Sequence, residues 1–138
     1  MSEKLLNVVK ELFVENEIDC EVETSEEVET VSFLYFECAF EEIEYDAEVC
    51  LVIDEEEKTV ATVMNIVDLE TEEEVNKALK LCNAFNQMEL LYKAYIDKDN
   101  TVVLEYVAHY NAETLKEHLF DDLDVLFDYE DFYKDLLK

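Results

Sequence analysis

Two histidines, four cysteines and 38 acidic side chains are the residues of this 138-residue chain that could do chemistry. Their spacing argues against it. His109 and His118 lie near no serine or cysteine in a nucleophile setting, and His118 with Asp121 or Asp122 reads as an ordinary pair on a helix surface. Asp97-Lys98-Asp99-Asn100 starts like a calcium loop but lacks the glycine and the distal glutamate that close one, so a hairpin turn is expected. Asp121, Asp122, Asp124 and Asp128 gather on one predicted helix, where Asp121 with Asp124 or Asp128 could share a face and meet a divalent cation. The reading adopted is a solvated helix face. In so acidic a chain, abundance deprives any chosen carboxylate pair of meaning as an acid–base couple. Cys20, Cys38, Cys50 and Cys82 form no CxxC pair and sit among apolar neighbours, which predicts reduced, buried thiols rather than zinc ligands. No catalytic residue, metal site or cofactor is expected, and the chain reads as a non-enzyme.

Composition narrows the classes further. The 38 acids against ten lysines, with no arginine, leave a net charge of −28. Direct binding to nucleic acid is excluded on that balance, because such binding needs cations facing phosphates. An anionic membrane would repel the chain, whereas a basic protein partner would be steered towards it. Half of the residues are apolar, which suits a folded single domain over residues 1–138 able to bury roughly two-thirds of its unfolded surface. No apolar run is long enough to span a bilayer, and no basic region precedes an apolar N-terminal run, so a cytoplasmic protein is expected. Glycine and proline are absent. Gly-rich phosphate loops, dinucleotide fingerprints and nucleophile elbows, which need glycine's permissive backbone, are thereby excluded.

The elements follow from periodicity. Thr71 with Glu74 is a capping box, and Glu72, Glu73 and Glu74 complement the helix dipole. Val75, Ala78, Leu79, Leu81, Cys82 and Phe85 or Asn86 then mark the apolar stripe of a helix ending at Met88. Leu91–Ile96 and Thr101–Val107 are the strands of a hairpin turning at Asp97–Asn100, where Asn100 tolerates a left-handed backbone. Upstream, Ser2 is a candidate cap for a helix reaching about Asn16, with Leu5, Val9 and Leu12 inside. Ile18–Glu23 alternates as a strand with one solvated face, and Val28–Phe40 is apolar on both sides of its alternation. Asp46–Ile53 places Ala47, Val49, Leu51 and Ile53 on one face, and Thr59–Val67 returns after a loop at Asp54–Lys58. Asn111 caps a last helix with Leu115, Leu119, Leu123, Leu126 and Phe127 inside, and Tyr129–Lys138 forms a further short segment. The order α-β-β-β-β-α-β-β-α predicts an α+β fold, a single antiparallel sheet with flanking helices.

The segment Leu81-Cys-Asn83-Ala-Phe85-Asn86, followed by Lys93-Ala-Tyr-Ile-Asp97 and Val102-Val-Leu-Glu105, resembles the YbjN-domain family. Those proteins are described as bacterial sensory-transduction regulators and share a fold with type III secretion chaperones. The resemblance covers about Val63 to Leu126 and implies a small non-enzymatic protein, often a homodimer, with a secretion-chaperone-like fold. Asn83 and Asn86 match its pattern and are read as structural, ending the helix and bonding the hairpin through their amides. Secretion chaperones hold a partner's unfolded segment along apolar patches, and the doubly apolar strand offers Phe33, Tyr35, Phe36 and Phe40 for that role. The favoured function is therefore a protein-binding module, chaperone-like or regulatory. The alternative is an acidic mimic of the DNA phosphate array that inhibits a nucleic-acid-binding protein, as phage anti-defence proteins do.

Overall fold

The structure, a computed structural model, describes residues 4–138. The chain runs α1 (Leu5–Glu15), β1 (Glu21–Thr24), β2 (Val31–Phe40), β3 (Tyr45–Asp54), β4 (Thr59–Asp68), α2 (Glu72–Met88), β5 (Lys93–Ile96), β6 (Thr101–His109), α3 (Ala112–Asp124) and α4 (Glu130–Leu137). This is the expected α+β order, with the terminal segment forming its own helix behind a 3-10 turn at Val125–Tyr129. All strands pair antiparallel in one sheet ordered β1-β2-β3-β4-β6-β5. Helix α2 carries the chain past β4, so the β5–β6 hairpin docks with β6 inside and β5 at the edge.

Tight reversals are made without glycine. Glu17, Glu44, Lys58 and Asn100 take positive φ values of 57°, 51°, 59° and 61°. Each forces a Cβ against a carbonyl at a cost of about 1 kcal/mol or more. Only Asn100 announces itself by residue type. Its turn is secured by Asp97, whose Oδ1 accepts from the amides of Asp99 at 2.9 Å and Thr101 at 3.0 Å. Asp54 does the same between β3 and β4, accepting from the amides of Glu56 and Glu57.

Three of the described helix starts are capped, each in a different way. Asn111 and Thr114 form a reciprocal box at α3, at 2.8 and 2.9 Å. At α2, Thr71 Oγ1 accepts from Glu74 N at 3.1 Å, but the Glu74 carboxylate reaches back to the Glu70 amide, one residue earlier than a standard box. The Ser2 cap lies outside the described residues. The described start of α1 is held from elsewhere: Glu55, in the β3–β4 turn, accepts from Leu5 N at 2.8 Å through one oxygen and from Leu6 N at 3.0 Å through the other.

One face of the sheet carries the core. Leu34, Phe36, Cys38 and Phe40 of β2, Ala47, Val49, Leu51 and Ile53 of β3, and Val60, Met64 and Ile66 of β4 are buried against the helices. Phe13 of α1 meets Phe36 edge-on at 5.0 Å, Tyr133 of α4 meets Phe40 edge-on at 5.0 Å, and Phe85 of α2 meets Tyr129 edge-on at 4.8 Å. Such contacts add about 0.5–1.5 kcal/mol each beyond their buried area. A bulge in β4 at Asn65–Val67 frees backbone carbonyls, and the Tyr45 hydroxyl donates to that of Ile66 at 2.6 Å.

Several expectations need correction. Leu79, placed on the buried stripe of α2, is 46% exposed, because the burial runs through Ala78, Cys82 and Phe85 instead. Phe127 is 43% exposed, since the 3-10 turn breaks the helical period after Asp124 and buries Leu126 and Tyr129 instead. Strand β1 starts at Glu21, not Ile18, and all four of its residues are exposed, so neither of its faces is covered.

Replacing Glu55 with alanine leaves two part-buried helix amides without an acceptor. The expected loss is about 1–2 kcal/mol in urea unfolding, with faster amide exchange confined first to α1. An unchanged urea midpoint and unchanged exchange in α1 would refute the tertiary cap.

Candidate functional site

No described helix lies over the second face of the sheet. Register fixes which side chains lie there. Across the strands, Glu23, Phe33, Val52, Ala61 and Val107 form one row, and Glu21, Tyr35, Cys50, Val63 and Glu105 the next. Phe33, Tyr35, Cys50, Val52, Ala61 and Val63 are all half-buried, yet none packs against the core cluster. Val103 is 3% exposed and likewise outside that cluster. Its cross-strand partner Tyr95, on this same face, is 41% exposed. These side chains thus form an apolar band outside the helix-packed core. Contiguous apolar surface of this kind marks an interaction site more often than an ordinary surface.

The four aromatic residues predicted to bind a partner do not share one surface. Phe33 and Tyr35 stand on the open face. Phe36 and Phe40 point the other way, at 8% and 0% exposure, into the core. The correction follows from the two-residue period of a strand, which sends neighbours to opposite faces. The double apolarity of β2 reflects one face packed by helices and one left open. The same signal is present in β3 and β4, where Cys50 and Val52, and Ala61 and Val63, alternate with core residues. Reading only one side of those strands missed them.

Carboxylates frame the apolar rows. Glu21 and Glu23 lie on the β1 side, while Glu37 and Glu48 face each other across β2 and β3. An open cleft of about 800 Å³ continues from there towards the connection after α1, lined by Glu17, Asp19, Glu21, Glu37 and Glu48 together with Tyr35 and Phe36. The field of these acids reaches the apolar rows. Burial pushes the Cys50 thiol up to about 11, the Tyr35 hydroxyl partly offsets this, and Glu48 and Glu23 push the same way as burial. The thiol is thus neutral at physiological pH. All four cysteines are free.

The other predicted residues resolve as follows. Asn86 holds the hairpin: its Nδ2 donates to Ala94 O and its Oδ1 accepts from Ala94 N, both at 2.8 Å, so the side chain mimics a strand partner. Asn83 is exposed and takes no part in that pairing. Asp122, from the acidic cluster on α3, accepts from the Tyr110 hydroxyl through its carboxylate and from the Tyr92 hydroxyl through its carbonyl. His118 lies 3.6 Å from Glu117 on the surface of α3. Among the described residues, no group of three or more His, Cys, Asp and Glu side chains is placed to hold a metal ion. No described helix is long and apolar enough to cross a membrane. No protein-family model matches the chain, and no curated protein matches it significantly.

Two outcomes follow. Asn86→Ala should cost about 1–3 kcal/mol because it strips both polar groups of Ala94, while Asn83→Ala should stay within about 0.5 kcal/mol in the same urea titration. Equal costs would refute the assignment. For Cys50, a raised pKa means the thiolate is scarce at pH 8. Alkylation in the folded protein should run about a hundredfold slower than for a free thiol and rise as pH approaches about 11. The sign for stability is matching: the contribution of the neutral thiol is complete below the unfolded pKa and fades as pH rises towards about 11. Mass spectrometry of alkylated Cys50 against pH checks the profile.

Proposed function

We propose that this protein is a non-enzymatic binding module that captures a segment of a protein partner on the open face of its sheet. The observation that carries this reading is the band of apolar side chains on β2, β3 and β4 that lies outside the helix-covered core. Phe33 and Tyr35 are its aromatic anchors, and Val52 and Val63 widen it. Burial of such a band supplies affinity, and the surrounding carboxylates keep the free protein dispersed. The likeness of Leu81–Asn86 and its hairpin to the YbjN domains supports a chaperone-like or regulatory role. Cytoplasmic residence and a homodimer, which the same reading includes, accompany the proposal. Mimicry of a phosphate array would instead require carboxylates where this face carries Phe33, Val52 and Val63.

The test compares the intact protein with Phe33→Glu and Val52→Glu variants whose far-ultraviolet spectra match it. A partner bound by the intact protein should protect backbone amides of β2, β3 and β4 from exchange, and each variant should weaken that complex by about tenfold or more. Capture unaffected by both substitutions would overturn the reading.

A further inference from the structure

The open face also specifies the chemistry of what covers it, and this inference rests on the docking reading above. We infer that its occupant is a cationic amphipathic helix of a partner protein. Three observations carry it.

The first is backbone satisfaction. Beneath the centre of the apolar rows, β2 at Ser32–Tyr35, β3 at Val49–Asp54 and β4 at Thr59–Met64 have a paired strand on each side, so their amides and carbonyls are committed to neighbouring strands. A ligand lying over them gains no main-chain partners. It must therefore satisfy its own backbone, which a helix does and an extended segment does not.

The second is shape. The apolar row crosses from Phe33 on β2 through Val52 and Ala61 to Val107 on β6. Three strand spacings make this roughly 14 Å, the length of about two and a half helical turns. Helices already pack on the opposite face of the same sheet, so the geometry suits a helix–sheet–helix sandwich.

The third is charge. On this face, between β1 and β4, the register brings Glu21, Glu23, Glu37, Glu48 and Asp54 around the apolar rows, with no lysine among them. Among the strand residues of this face the first cation is Lys93 on the far edge strand, and its Nζ donates to the carbonyls of Glu89 at 2.8 Å and Asn86 at 3.4 Å. A helix with lysine or arginine beside its apolar stripe meets complementary charge on both flanks. A second copy of this chain does not. Seated on this face, it would set the same glutamates against one another, so a homodimer has to form through another surface.

A designed leucine–lysine helix of about 18 residues is the probe, alongside a scrambled peptide of identical composition and a leucine–glutamate version. Labelled peptides are titrated with the full chain and followed by anisotropy and circular dichroism. The amphipathic lysine peptide should bind at least about tenfold tighter than its scramble and gain helicity on binding. Its affinity should fall about tenfold between about 50 and about 300 mM salt, and the leucine–glutamate peptide should not bind. Val52→Glu should weaken it about tenfold, and so should Val107→Glu, whose 54% exposed position spares the fold. The inference is overturned if the scramble binds as well, or if neither substitution matters, since either result means that charge alone captures the peptide. It is equally overturned if the peptide stays extended and perturbs only the free edge of β2 beyond Tyr35, or if the chain self-associates through this face in sedimentation. A natural partner that requires Phe33 and Val52 but binds without a cationic helix would sink this inference alone. Loss of that requirement would sink both readings.

Discussion

A sheet has two faces, and this chain directs its four described helices to one of them. Strands β2, β3 and β4 are apolar on both sides of their alternation, so covering one side leaves a second hydrophobic surface against water. That asymmetry organises everything else. It divides Phe33 and Tyr35 from Phe36 and Phe40, although all four lie within eight consecutive residues of one strand. It also separates Val103, buried and yet outside the core, from Val102 and Leu104 on either side of it.

Charge accompanies this surface. With 38 acids, the chain could have hidden its open face behind carboxylates, but the register places them around the apolar rows and leaves Phe33, Val52, Ala61 and Val63 between them. A frame of one sign discourages random collapse of copies onto one another while leaving the apolar centre available to a partner of opposite sign. The absence of arginine and the sparsity of lysine then acquire a physical consequence: little on this side competes for the carboxylates.

The helix-covered side is held by long-range contacts that tie early and late parts of the chain together. Glu55 in a hairpin caps α1 some 50 positions earlier in the chain. Asp122 on α3 gathers the hydroxyls of Tyr92 and Tyr110, and Asn86 stands in for a strand beside Ala94. Each pairs a buried or half-buried polar group that would otherwise lose its bond to water, a loss worth about 1–3 kcal/mol. With no glycine to relax the turns and no disulfide to brace them, these bonds and the aromatic contacts of Phe13, Phe40 and Phe85 fix how the helices sit.

Local pattern by itself determined the order of elements, the antiparallel α+β class, the caps at Thr71 and Asn111, the turn at Asn100 and the buried face of β3. All of these depend on periodicity or on neighbours within one turn. It also made clear that β2 was apolar on both sides, but not which side the helices would take. That choice was made by tertiary structure, because it depends on where α1, α3 and α4 dock and not on any spacing within β2. The same holds for Leu79 and Phe127, whose types and positions fit a buried stripe until packing turned the helix or broke its period. Glu55 shows the limit most plainly. A carboxylate in an acidic loop looks like every other one in this chain, and only the fold brings it to the start of a helix that needs an acceptor.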